Sequence, residues 1–105
     1  MRLARSLALP LMMLLSAPAL ASGPDAGRTL VERLCARCHA VADEAQSPNA
    51  EAPLFREVAT RWPPESLAEA FAEGIAVGHP DMPRFELSPG EIDGVIAYFE
   101  MLAAE

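Results

Sequence analysis

The sequence predicts an all-α fold. Three observations carry that expectation: apolar residues recur at helical spacing in three separate stretches, strand-like alternation is missing, and most prolines sit between or at the edges of those stretches. The chain has 105 residues and no internal repeat.

The first 21 residues read as an export leader. Arg2 and Arg5 supply a positive start, an apolar run extends from Leu7 to Leu20, and Ala19-Leu20-Ala21 is a small-residue cleavage site. Cleavage is expected after Ala21. The run is short for a membrane span of about 20 residues and is broken by Pro10 and Pro18, which disfavours an uncleaved anchor. Residues 22–105 then form one domain of 84 residues, small enough to depend on a staple of some kind.

The first helix is expected from Pro24 to Cys38. Gly27, Leu30, Val31, Leu34 and Cys38 fall on one face, Pro24 suits a first helical position, and Asp25 complements the N-terminal dipole. Residues 41–53 are polar and acidic and read as a surface loop, followed by a brief helical turn over Leu54 to Ala59. Pro63-Pro64 opens the second main helix, Leu67, Ala70, Phe71, Gly74 and Ile75 form its apolar stripe, and Gly74 or Gly78 stops it. Residues 78–85, with Pro80 and Pro83, cannot be regular helix. Ser88-Pro89-Gly90-Glu91 announces the third, with Ser88 as cap and Glu91 completing a capping box. Its core face is expected to be Ile92, Val95, Ile96 and Phe99, flanked by Tyr98 and Leu102; Gly94 inside it marks either a close helix crossing or tolerated drift.

Chemistry concentrates in Cys35-Ala36-Arg37-Cys38-His39, which holds the only two cysteines. Cys-x-x-Cys-His is the attachment signature of a c-type haem: two thiols separated by two residues match the two vinyl groups, and the following imidazole can bind the iron. A second axial donor is needed from a segment that the fold can bring across the haem. Met82, framed by Pro80 and Pro83, is the candidate, and a thioether there favours the ferrous state. His79 offers a bis-histidine alternative, though a surface or hydrogen-bonding role suits it better. The indole of Trp62 either reaches a haem propionate, with Arg61 compensating charge, or simply packs against the haem face. Leu54, Phe55, Phe71, Ile75, Phe85, Leu87 and Ile96 are expected as haem-facing core.

Competing uses of the cysteines fit less well. A thioredoxin-like redox pair needs a βαβ context and leaves His39 unused. A zinc site built from Cys35, Cys38, His39 and His79 has unsuitable spacing. A disulfide between Cys35 and Cys38 closes too short a loop to contribute much.

Charge narrows the partners. The whole chain carries −7; loss of Arg2 and Arg5 leaves six arginines, no lysine and 15 acids, a net −9. Such a surface excludes nucleic acid, whose phosphates require Lys and Arg clusters. Nothing in residues 22–105 supports membrane insertion. The acidity serves solubility or steers the protein toward a basic partner.

Together these residues resemble the class I bacterial cytochromes c that carry a single haem. The resemblance runs from Gly27 and Val31 through Cys35-Ala36-Arg37-Cys38-His39, Ala52-Pro53-Leu54-Phe55 and Gly78-His79-x-x-Met82-Pro83-x-Phe85 to Ile96-Ala97-Tyr98-Phe99. It implies a small cytochrome c fold of three main helices plus short turns, wrapped around one haem c. By the same resemblance Cys35 and Cys38 carry the thioethers and His39 and Met82 bind iron. It further implies that the Pro53 carbonyl accepts the other ring N–H of His39, and that the terminal helices cross near Gly27, where Val95 and Tyr98 approach. Val31 departs from the family, which usually places an aromatic there.

The expected function is that of a monomeric periplasmic single-electron carrier without turnover of its own. It would pass electrons between a donor dehydrogenase or cytochrome complex and an oxidase or reductase, docking transiently at a haem edge ringed by Ala36, Arg37, Pro80 and Pro83. The alternatives are a haem subunit of a periplasmic dehydrogenase, or a ligand-binding or peroxidatic cytochrome in which Met82 is displaced.

Overall fold

The computed structural model describes residues 3–4, 7–15, 23–74 and 81–105. Among these, four α-helices and no strand are present: α1 (Pro24–Leu34), α2 (Phe55–Arg61), α3 (Pro64–Glu73) and α4 (Pro89–Ala104). Ile75, Gly78, His79 and Pro80, named above, lie outside the described residues, as do Arg2, Arg5 and the expected cleavage site.

Helix α1 begins where Pro24 and Asp25 predict, with Gly23 turned to φ 79° just before it. It ends at Leu34, four residues earlier than the periodicity suggests. The reason is visible in the backbone: the amides of Cys35 and Ala36 both donate to the Val31 carbonyl, at 2.8 and 3.1 Å, so the ladder of one carbonyl per amide is lost. The chain continues as a turn, in which Cys38 and His39 both donate to the carbonyl of Cys35.

Helix α2 runs two residues beyond the expected turn and closes with the Trp62 amide on the Val58 carbonyl. Helix α3 stops at Gly74, whose φ of 70° lies in the left-handed region that a residue without a Cβ adopts at little cost, and whose amide satisfies the carbonyls of Ala70 and Phe71. Helix α4 opens with the full capping box: the Glu91 amide donates to Ser88 Oγ, and the Ser88 amide donates to Glu91 Oε1.

Helices α1 and α4 cross in backbone contact at Gly27 and Gly94. A Cβ built at Gly27 would overlap the Gly94 carbonyl and lie 2.9 Å from the Val95 nitrogen. Gly94 is therefore a crossing residue, and the approach at Gly27 is made by backbone atoms of Gly94 and Val95. That geometry also corrects the expected face of α4. Ile92, Gly94, Val95, Tyr98, Phe99 and Leu102 are buried, whereas Ile96 is only half-buried. Turning Gly94 toward α1 carries Tyr98, one turn on, into the core and rotates Ile96 away.

Leu30, Val31, Val41, Phe55, Ala59, Val95, Tyr98, Phe99 and Leu102 form the core. Val31, with 1% of its surface exposed, fills the crossing without an aromatic ring. Helix α3 contributes no fully buried residue; Leu67, Ala70 and Phe71 are half-buried. No helix among the described residues is long and apolar enough to cross a membrane.

Candidate functional site

The turn after α1 presents Cys35, Cys38 and His39 together. Both cysteines are half-buried free thiols, so the short disulfide is not formed. Burial pushes the Cys35 thiol up to about 11, keeping it protonated and unsuited to a thiolate site at neutral pH. No cluster of three or more potential metal ligands from His, Cys, Asp and Glu occurs among the described residues.

His39 is held from two directions. Its Nδ1 lies 2.8 Å from the Pro53 carbonyl, which can only accept, so Nδ1 carries the proton and Nε2 is the nitrogen left for a metal. Its ring also packs against Phe55, with centroids 5.1 Å apart and planes at 54°. Phe55 in turn rests on Phe99 at 4.9 Å.

The backbone beyond His39 is equally constrained. The Ala40 amide donates to Ser47 Oγ at 2.9 Å, and the Ala40 carbonyl accepts from the Phe55 amide at 2.9 Å. The Tyr98 hydroxyl donates to the Val41 carbonyl, and burial raises the phenol pKa, so the group stays a donor. These bonds lay residues 39–41 alongside residues 53–55. The Ser47 anchor carried no sequence signal, since Ser47 sits in an aperiodic polar loop; Tyr98 was expected at the Gly27 crossing and flanking the core face, but not as a donor to Val41.

Met82 lies in a second region. It is half-buried and lines a small groove with Ala70, Phe71, Gly74, Pro83 and Phe85. No hydrogen bond or ring contact among the described residues joins it to His39. Leu54, Phe85, Leu87 and Ile96 are half-buried too, and among the described residues of the expected haem-facing set only Phe55 is fully buried. Trp62 is 40% exposed, and the Arg61 guanidinium stacks 5.3 Å from its ring centroid. Arg37 and Pro83 are exposed, and Ala36 is half-buried against the core.

This donor set fits a covalently attached haem. Two thiols on one turn, an imidazole whose Nε2 is left for a metal because Nδ1 is engaged, and several half-buried apolar side chains are the chemistry such a group requires.

Comparison with known proteins agrees with that fit. Residues 22–99 match the family described as cytochrome c oxidase, cbb3-type, subunit III. The chain is also similar to cytochrome c-552 of Bradyrhizobium diazoefficiens, at 38% identity over 87 residues, covering 83% of this chain and 82% of that protein. From the Cys-x-x-Cys-His turn, the all-α fold and these two matches, the chain belongs to the cytochrome c family, whose members bind haem c and carry electrons rather than turn over a substrate.

Proposed function

We propose that the mature chain, residues 22–105, is a periplasmic single-electron carrier that would hold one haem c through Cys35 and Cys38, with His39 and Met82 as the residues that would bind its iron. The observation that carries this reading is the Nδ1 contact of His39 with the Pro53 carbonyl at 2.8 Å, one residue after the second cysteine. It fixes the tautomer with Nε2 unprotonated and raises the basicity of that nitrogen. A bound haem supplies a one-electron ferric/ferrous couple.

The chain's own residues then do three things. Cys35 and Cys38 anchor, His39 presents a fixed donor nitrogen, and Met82 offers a soft thioether from the segment after α3. With His39 and Met82 both holding the iron, a change of oxidation state would require little movement of the chain. The exposed Arg37 and Pro83 border the surface at which a partner would approach, and binding there is transient because a carrier must release what it meets. Residues 1–21 act as an export leader, a role supported by Leu7 to Leu15, whose large apolar side chains are 82–95% exposed and stay out of the core.

Expression with cytochrome maturation machinery and export tests the whole reading. The expected product starts at Ser22, carries one covalent haem by mass, shows a sulfur-to-iron charge-transfer band when ferric and ignores carbon monoxide when ferrous. Met82→Ala should lose the band and bind carbon monoxide. An unchanged Met82→Ala spectrum removes Met82 as ligand, and a product without covalent haem removes the haem assignment itself.

The family description favours a second reading, a haem subunit of a larger oxidase-type assembly. Size-exclusion chromatography of the native periplasmic fraction separates the two: the carrier elutes alone, the subunit with its assembly.

A further inference from the structure

The Pro53 carbonyl fixes where one nitrogen of His39 sits, but a single hydrogen bond leaves the ring free to pivot about it. Rotation about the Cβ–Cγ bond of histidine is a broad torsion without sharp staggered wells. A second contact must select the plane. Phe55 is a described residue that makes one: its ring centroid is 5.1 Å from that of His39 with planes tilted at 54°, so a pivot of the imidazole would change its contact with a buried ring.

Phe55 is itself unable to yield. Only 5% of its surface is exposed, and Phe99 backs its ring at 4.9 Å. Its amide donates to the Ala40 carbonyl at 2.9 Å, so its backbone is tied to the residue directly after His39. Ala40 is fixed further by Ser47, and Val41 by Tyr98. Histidine and phenylalanine are thus two rings mounted on one cross-linked frame.

We infer that Phe55 is a positioning residue that sets the plane of the His39 imidazole, while Pro53 sets its tautomer. The inference rests on His39 being the axial ligand proposed above. In a ferric haem protein the imidazole plane, together with the orientation of the second iron ligand, governs how unpaired spin is distributed over the four pyrrole rings, which the order of the haem methyl proton shifts reports.

The test compares ferric holoprotein spectra. Phe55→Leu removes the ring while keeping an apolar side chain, and it should reorder the four methyl resonances and shift the reduction potential. Phe55→Tyr keeps the ring and should restore the original order. Leu102→Val, which trims the same core cluster and keeps both the His39 and Phe55 rings, should lower stability to a similar degree with the order unchanged. Should Phe55→Leu give no holoprotein, Phe55→Ile makes the same comparison. If the leucine or isoleucine variant keeps the methyl order and potential of the parent and loses only the stability that Leu102→Val loses, Phe55 is core packing alone and the inference fails. A parent protein without a histidine-ligated haem spectrum would instead remove the proposed ligation, a separate outcome visible before any variant is made.

Discussion

Residues 38–41 and residues 82–85 each carry one of the two proposed iron donors, and the fold treats them differently. Around His39 every backbone step is anchored: to Cys35, to Ser47, to Phe55 and, through Val41, to the Tyr98 hydroxyl. Ala40 and Val41 are each 2% exposed. Around Met82 the described neighbours are the half-buried Ala70, Phe71, Gly74 and Phe85 and the exposed Pro83. Among the described residues, one region is organised by hydrogen bonds and the other by apolar contact. The contrast suits the chemistry of the two donors, since an imidazole can be oriented by hydrogen bonds through its second nitrogen and a thioether has no such handle.

The largest effect that would sharpen this contrast is at the helix crossing beneath the His39 region. Gly27→Ala drives a Cβ into the Gly94 backbone and should cost about 3 kcal/mol, read as a lowered urea midpoint. Backbone alone forms the contact, so the loss is expected to be the same in the ferric and ferrous holoprotein, and a penalty that differs between the two would break the comparison. Gly94→Ala is a useful partner: its Cβ would lie 3.3 Å from the Gly27 nitrogen, and the strain is offset by about 1 kcal/mol of helix propensity, so its midpoint should barely move.

A middle-sized effect is expected from Tyr98→Phe. It leaves the Val41 carbonyl without its donor in a buried setting and should cost about 2 kcal/mol in the same denaturation experiment. A change indistinguishable from zero would mean that the frame behind His39 does not depend on α4.

The smallest effect lies farthest from that frame, at the start of α4. Bonds from Ser88 hold the Glu91 carboxyl below the usual glutamate range. A depressed folded-state pKa contributes stability that is present above the unfolded value and lost as pH falls through the folded one. Acid titration of stability over roughly pH 5 to 3, the carboxylate range, should therefore show a small decline in the parent that Glu91→Gln flattens. Ser88→Ala should remove about 1 kcal/mol at neutral pH.

Much of the architecture was legible from local chemistry. Pro24 with Asp25, the Pro63-Pro64 pair, Gly74 and the Ser88–Glu91 box mark helix ends by mechanisms that act within one turn, and the structure puts ends at each. Less legible was whatever depends on partners distant in sequence. The early end of α1 follows from two amides sharing one carbonyl, which periodicity does not encode. The exchange of Ile96 for Tyr98 on the buried face follows from where Gly94 meets Gly27. Around the candidate site, Cys35, Cys38 and His39 stood out by spacing and Met82 by its prolines, but Ser47 acts through one hydroxyl in a loop without pattern.

The crossing of α1 and α4 also orders events in time. Gly27 and Gly94 stand near opposite ends of the proposed mature domain, so their contact closes nearly all of it into a ring and is among the most non-local the domain can form. A chain emerging from its N-terminus cannot complete that closure until its last helix has arrived. Until then the thiols at 35 and 38 travel on an open thread, within reach of whatever enzyme must work on them before the ring shuts.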